Sequence, residues 1–135
     1  MNKIGVIGGT FDPVHTGHLR LGYAALESCG LQTVTFIPAA CPPHKENVQA
    51  SSYHHRKKMV EIAVTAEDRF SVSDVESSLD TPSYTYLTLR ELKKEVLGDT
   101  FYFILGSDAF VEIESWKKWK EVLGNNNFII AVRPG

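Results

Sequence analysis

The sequence predicts an open, doubly wound α/β fold in which a parallel sheet of about five strands is covered by helices on both faces. Two observations support this prediction. Short apolar segments recur along the chain, and segments with a helical spacing of apolar residues lie between them. Such alternation implies right-handed crossovers between parallel strands. Ligands of these folds bind beyond the carboxyl ends of the strands, so the loops that follow the strands are the places to search for a site.

The first part of the predicted sheet precedes residue 40. Residues 3–7 form an apolar run that ends in two glycines. Residues 18–29 carry apolar side chains at helical spacing and stop at Gly30, which suits a helix end. Residues 33–37 are apolar and β-branched, which favours a strand. The adjacent prolines that follow exclude regular structure, so a loop is expected there.

The remaining elements continue the alternation. Ser51 or Ser52 can cap a helix that carries apolar side chains at 59–63. The later predicted strands are residues 70–75, 101–105 and 128–132, and the later predicted helices are residues 84–97 and 116–123. The whole chain, residues 1–135, is interpreted as a single domain.

Composition limits the classes of function. The 135 residues carry a net charge of −2, which argues against binding to a nucleic-acid backbone or an anionic membrane surface. No apolar run approaches membrane-spanning length, and the first residues do not form a signal peptide. Cys29 and Cys41 share no metal-binding or redox spacing, so free thiols and a cytoplasmic location are expected.

The loop after the first predicted strand has the features of an anion site. Gly8 and Gly9 allow the backbone to turn sharply and to present its N–H groups, and Thr10 adds a hydroxyl. The helix that follows directs its positive end towards the same place. A purely structural alternative is that the two glycines only close a tight turn between the strand and the helix. The pattern is neither GxGxxG nor a P-loop, which argues against hydride transfer and P-loop hydrolysis.

His15 and His18 strengthen the case for a phosphate. Residues three apart at the start of a helix share one face, so both imidazoles can donate to a phosphoryl group whose charge grows in the transition state. Two alternatives are a structural role and a zinc site. The zinc alternative would need further ligands, and Asp12, Cys41 and His44 form no recognised set with them.

These residues carry a resemblance to a known family. VHTGH at 14–18 resembles the HxGH signature of the nucleotidyltransferase superfamily, and GGTFDPVHTGHL at 8–19 resembles the opening of bacterial nicotinate-nucleotide adenylyltransferases. PPHK, HRKKM, SYTYLTLREL, FILGSDAF and VRPG agree in order. The resemblance implies a Rossmann-like fold and transfer of AMP from ATP to nicotinate mononucleotide, giving deamido-NAD and pyrophosphate in NAD biosynthesis, with Mg²⁺ on the phosphates.

The resemblance also implies site residues. His15 and His18 are the catalytic candidates, and no side chain is assigned as a metal ligand. The ATP-binding candidates are Gly8, Gly9, Thr10, Phe11, His15, His18, Gly106, Asp108 and Arg133. The candidates for binding nicotinate mononucleotide are Lys45, Thr85 and Trp116.

Several of these residues also have an alternative interpretation as ordinary surface or core residues. Lys45 is alternatively a solvated loop lysine, and Trp116 a core anchor, with Trp119 expected as the core partner. The basic run 54–58 is interpreted as a solvated helix face, although Arg56 matches the family, and Glu76 is assigned only weakly.

The sequence departs from the family pattern in two places. Leu87 stands where the family has Asp, and residues 79–82 lack the family's Arg. The family also continues past VRPG into a phosphate-binding segment with Ser, Thr and Arg, so the chain is expected to lack this C-terminal portion, either as a fragment or as a naturally short protein, with weak or lost catalysis by these 135 residues. Two alternatives stay open: another HxGH adenylyl- or cytidylyltransferase, and a nucleotide-binding module without turnover. A homo-oligomeric state is also left open.

Overall fold

A computed structural model describes residues 2–40, 51–78, 84–95 and 99–132. Within these residues the strands are β1 (Lys3–Gly9), β2 (Thr33–Pro38), β3 (Phe70–Val72), β4 (Thr100–Gly106) and β5 (Asn127–Ala131). The helices are α1 (Thr16–Cys29), α2 (Tyr53–Ala63), α3 (Thr85–Glu95), the single turn α4 (Ser107–Phe110) and α5 (Trp119–Gly124). Two 3₁₀ turns cover Val75–Ser78 and Ile113–Ser115.

The five described strands form one parallel sheet with the order β3-β2-β1-β4-β5. β1 is central: Val6 lies opposite Thr35 of β2 on one side and Phe103 of β4 on the other. The chain winds outwards from β1 to β3 and then returns to start β4 on the other side of β1. The strand order therefore reverses between β1 and β4, and the doubly wound α/β prediction is confirmed.

The sheet is packed on both faces. Ile7, Phe36 and Phe70 contribute to one buried cluster, which includes apolar residues of α1 and α2. Val6 and Phe103 contribute to a second cluster, which includes residues of α3 and α5. Because successive side chains of a strand point to opposite faces, the adjacent residues Val6 and Ile7 belong to different clusters.

Local signals set several helix ends. Ser52 caps α2 by accepting the backbone N–H of His55 on its hydroxyl, which agrees with one of the two predicted caps. Gly30 ends α1 in the left-handed conformation, with φ of 64°, as expected for a residue without a Cβ. Cys29 lies exposed as a free thiol, and Cys41 lies outside the described residues.

Two predicted elements were wrong in extent. The strand predicted at 70–75 ends at Val72, because β3 is an edge strand that pairs with β2 over only three residues before the chain turns away. The helix predicted at 116–123 starts three residues later than predicted: α5 begins only after Lys118, whose φ is 54°, and the separate 3₁₀ turn before it ends at Ser115. The helix predicted at 84–97 covers Thr85–Glu95, and residues 96–98 lie outside the described part.

None of the helices described here combines the length with the apolar character that a bilayer crossing requires.

Candidate active site

The loop that follows β1 lies at the carboxyl edge of the sheet, where the strand order reverses. We call residues 8–11 the cradle. A Cβ on Gly9 would lie 3.2 Å from the ring of Phe11, so the backbone at Gly9 packs closely under that ring. Phe11 is 2% exposed and has φ of 53°, a conformation that costs a residue with a side chain free energy. Burial of its ring holds this conformation, and the side chain of Phe11 is not available to a ligand.

The cradle is joined to the end of β2. The carbonyl of Gly9 accepts the N–H of Ala39 at 2.8 Å. Gly8 is exposed, and Gly9 and Thr10 are half-buried. The predicted anion-binding residues are therefore accessible at the edge of the sheet while their loop is anchored to its neighbour.

His15 and His18 form the start of α1. Nδ1 of His15 accepts the N–H of Gly17, and Nδ1 of His18 accepts the N–H of His15, both at 3.1 Å. The two rings stack with centroids 3.8 Å apart and an interplanar angle of 25°. Since Nδ1 accepts a hydrogen bond in both rings, the proton of each neutral imidazole is on Nε2, and each ring can donate from that atom.

The surroundings of His18 favour its neutral form. Partial burial lowers the pKa of His18 below its ordinary value of 6.5, and the neighbouring charge of His15 lowers it further. The edge of the Phe11 ring packs on His18 with centroids 4.9 Å apart. His18 is therefore an oriented, neutral donor at neutral pH, held between the cradle and His15.

The structure modifies one expectation about α1. The sequence predicts that the helix after the cradle directs its positive end, with its unpaired N–H groups, towards the anion. The Gly17 N–H donates to the His15 ring instead, so the histidine side chain accepts one of these groups itself.

Gly106 and Asp108 lie beside the cradle on the next strand. Gly106 ends β4 and caps α4, and a Cβ at this position would meet no atom within 4 Å. Asp108 is exposed in the only turn of α4. Because β1 and β4 are paired and parallel, their carboxyl ends bring these two residues to the same edge as Gly8 and Gly9.

Trp116 and Thr85 each lie next to one member of a contacting Lys–Tyr pair. Trp116 is half-buried, and its ring centroid lies 6.2 Å from that of Phe103 on β4. Thr85 starts α3, and the ammonium of Lys117 lies 4.8 Å from the ring centroid of Tyr84. The neighbours of both predicted residues are therefore in contact.

The expectation about Trp119 is not met. Trp116, which the resemblance assigns to the pyridine end, packs against the second core cluster, while Trp119 is half-buried with the Lys120 ammonium 5.7 Å from its ring. A ring packed on one side against Phe103 can still offer its other face to a ligand.

Sequence reasoning misplaced Arg56 and underrated Glu76. Arg56 is 2% exposed and donates to the carbonyls of Thr10 and Ala39, so it is not part of a solvated helix face. Glu76 is 7% exposed and accepts the N–H of Ala40. A signal for Arg56 exists in the sequence: together with Tyr53, Val60 and Val64 it follows the buried stripe of α2 at helical spacing.

Lys45 and Arg133 lie outside the described residues, as do Cys41 and His44. Within residues 2–40, 51–78, 84–95 and 99–132, no three His, Cys, Asp or Glu side chains are grouped so that they could hold a metal ion. Any metal at this site would depend on ligands beyond these side chains.

The family model described as cytidylyltransferase-like matches residues 6–134. The chain belongs to this family. It is 43% identical over 136 aligned residues to the probable nicotinate-nucleotide adenylyltransferase of Desulfotalea psychrophila, covering 98% of this chain and 64% of that protein. It is 42% identical to the protein of the same name from Geobacter sulfurreducens, covering 98% of this chain and 62% of the relative.

The fold of the chain is also similar to that of a solved structure. The nicotinic acid mononucleotide adenylyltransferase of Plasmodium falciparum, complexed with NaAD, superimposes with a TM-score of 0.83 at 28% identity. That match covers 98% of this chain and 65% of the other. The Rossmann-like nucleotidyltransferase fold is confirmed, and the chain spans less than two thirds of the length of the proteins it matches.

Proposed function

We propose that this chain carries the adenylyl-transfer site of a nicotinate-nucleotide adenylyltransferase. A phosphate oxygen of nicotinate mononucleotide attacks the α-phosphorus of ATP, the bond from that phosphorus to the bridging oxygen breaks, and pyrophosphate leaves with its electron pair. The product is deamido-NAD (NaAD). The observation that carries this proposal is the stacked pair of His15 and His18 beside a glycine cradle at the strand-order reversal. The relatives that share 42–43% of the residues bear this enzyme's name.

The chemistry requires alignment more than proton transfer. The attacking phosphate is already ionised, so no general base is needed, and the charge that develops around the α-phosphorus must be stabilised. The Nε2 donor of neutral His18 can supply one hydrogen bond to the α-phosphate, and His15 can supply another to the triphosphate. Donors that are oriented before the reaction act without reorganisation during it.

The remaining predicted residues divide between the two substrates. Gly9 and Thr10 would contact phosphates, and Gly106 with Asp108 would face the adenosine, since these residues share the carboxyl edge of β1 and β4. Thr85 and Trp116 would bind the pyridine end. Lys45 and Arg133 stay predictions from the resemblance.

A divalent ion fits the site as a companion of ATP. Mg²⁺ commonly keeps several waters and is bound through substrate phosphates with one or two carboxylates, so it does not need a three-residue protein cluster. Exposed Asp108 follows β4 at the edge of the sheet that β4 shares with the cradle, and it is the carboxylate we assign to assist the ion. When bound, the ion would neutralise charge on the triphosphate.

The test is pyrophosphate release from ATP and Mg²⁺. Nicotinate mononucleotide, nicotinamide mononucleotide and phosphopantetheine would be compared as acceptors, because the last tests another HxGH enzyme. We expect turnover with nicotinate mononucleotide once the chain is extended as described next. The same assay would be run on the chain extended by the C-terminal third of the Desulfotalea relative. ATP binding without turnover in both forms would favour the binding-module alternative and contradict the proposal.

A further inference from the structure

Two buried charged side chains hold one peptide group at the carboxyl end of β2. The carbonyl of Ala39 accepts a hydrogen bond from Nη1 of Arg56 at 2.6 Å. The N–H of Ala40 belongs to the same peptide group and donates to Oε1 of Glu76 at 3.1 Å. A cation at the carbonyl end and a carboxylate at the N–H end both match the peptide dipole, so the two charges stabilise the same orientation of this peptide.

The same guanidinium extends this contact to the cradle. Nη1 of Arg56 also donates to the carbonyl of Thr10 at 2.9 Å, and Nε donates to the carbonyl of Ser51 at 2.8 Å. Ala39 in turn donates its N–H to the Gly9 carbonyl. One side chain of α2 therefore ties together the loop after β1, the end of β2 and the segment before the cap of α2.

Glu76 connects this arrangement to the other face of the sheet. Its second carboxylate oxygen accepts the hydroxyl of Thr88, one turn into α3. Thr85, the first residue of that helix, is a candidate for the pyridine end of the site. The two buried charges thus link the predicted phosphate-binding and pyridine-binding segments through hydrogen bonds.

Stability alone does not account for these residues. Removing an arginine and a carboxylate from water is costly, and apolar residues of similar volume often serve a core equally well. The flat guanidinium has five donors in a fixed fork and satisfies three carbonyls at once, which a lysine ammonium on its flexible stem does not reproduce. The hydrogen bonds of these two side chains instead fix the position of the cradle relative to the end of β2.

We propose that Arg56 and Glu76 are positioning residues, which set the cradle against the end of β2 in the orientation that the triphosphate requires. This inference rests on the proposed function for its ligand. Neither residue acts on the ligand directly: Arg56 acts through the carbonyls of Thr10 and Ala39, and Glu76 acts through the N–H of Ala40.

Amide hydrogen exchange tests the positioning without any ligand. In Arg56→Met we expect the amides of Ala39 and Ala40 to exchange at least about tenfold faster, since a buried charge-assisted bond is lost. In Glu76→Gln, which keeps an acceptor but loses the charge, we expect about fivefold at Ala40. Amides of central β1, such as Val6, should change little. Equal acceleration at Val6 would show a general loss of stability and would overturn the proposal.

Binding of ATP with Mg²⁺, measured by calorimetry, tests the functional part. Displacement of the cradle should weaken binding in Arg56→Met and lower kcat/KM, with a loss of about 100-fold for a displacement near 1 Å. Arg69→Met is the matched control, because Arg69 is exposed and pairs with Glu67 at 3.0 Å. If Arg56→Met does not fold, Arg56→Lys is used, with a smaller loss expected in the same direction.

The outcomes separate this inference from the proposed function. Faster exchange at Ala39 and Ala40 together with normal ATP binding and turnover would overturn the positioning role. Failure of the unmodified protein to bind ATP would instead contradict the proposed function, while the exchange data would still show whether Arg56 and Glu76 hold the 39–40 peptide.

Discussion

The ring of His15 stacks on the ring of His18, and the two residues also close a reciprocal set of hydrogen bonds around the first turn of α1. His18 therefore has two separable roles: its Nδ1 caps a backbone N–H, and its Nε2 is available to a phosphate. This separation makes it possible to distinguish a structural effect of substitution from a catalytic one.

We predict that His18→Ala, made in the extended chain, lowers kcat by about 10²–10³-fold, the scale of removing one oriented donor from a transition state. His18→Gln retains an acceptor at the third helical position, as in a capping box, and should keep more of the helix stability while losing the same catalytic donor geometry. Steady-state kinetics and thermal unfolding of both variants give the comparison. An unchanged kcat in His18→Ala would contradict the assignment.

Stability should depend on pH through His18. Because burial, and then the charge of His15, lower the pKa of His18 in the folded chain, the unfolded chain binds a proton more readily. The contribution is fully present above the unfolded value of about 6.5 and is lost as the pH falls through the folded pKa. Urea unfolding at pH 7.5 and pH 5 should show a larger loss for the unmodified protein than for His18→Gln. Equal losses would indicate that His18 is not responsible.

We predict that Trp116→Ala weakens binding of nicotinate mononucleotide by about 0.5–1.5 kcal/mol, since an aromatic face is removed, and leaves ATP binding nearly unchanged. Trp116→Phe retains a ring against Phe103 and should recover part of the loss. Calorimetric titration with each ligand measures both effects. Equal weakening for both ligands would mean that Trp116 serves the core and not the pyridine pocket.

A Gly→Ala substitution should destabilise the fold in α1 and stabilise it in α5. A Cβ on Gly22 would lie 2.9 Å from the ring of Phe70, so Gly22→Ala should destabilise the fold by about 1–2 kcal/mol despite the better helix propensity of Ala. At Gly124, the last residue of α5, nothing lies within 4 Å of a new Cβ, and Ala should stabilise by up to about 1 kcal/mol. Chemical denaturation measures both, and stabilisation by Gly22→Ala would contradict the packing argument.

The strands that could be predicted from the sequence are those that form a continuous apolar run. β1, β2 and β4 are buried on both faces, so their apolar runs identify them whatever their neighbours are. β3 could not be delimited in this way, because β2 continues to Pro38 after its pairing with β3 ends at Phe36, and the end of β3 is set by the turn that takes Val75 and Glu76 into the interior. That turn depends on contacts from distant parts of the chain.

The candidate site was predicted where a motif is continuous in sequence and missed where it is assembled in space. The cradle and the two histidines lie within eleven consecutive residues, 8–18, and share one edge of the sheet. Arg56 is surrounded in sequence by exposed polar residues, and its burial follows from carbonyls 17 and 46 residues away. Composition of the segment around a residue does not reveal such partners.

The packing of Phe11 means that the cradle belongs to the hydrophobic core as much as to the surface. Its ring lies against Gly9 below and has Phe36 as an edge-on neighbour at 6.1 Å. A change of volume at Phe36 would therefore be transmitted to the loop that we propose binds the phosphates, so we expect such a change to alter affinity and folding together. When variants are selected for a different nucleotide, substitutions beneath this loop are therefore expected to change folding stability together with affinity.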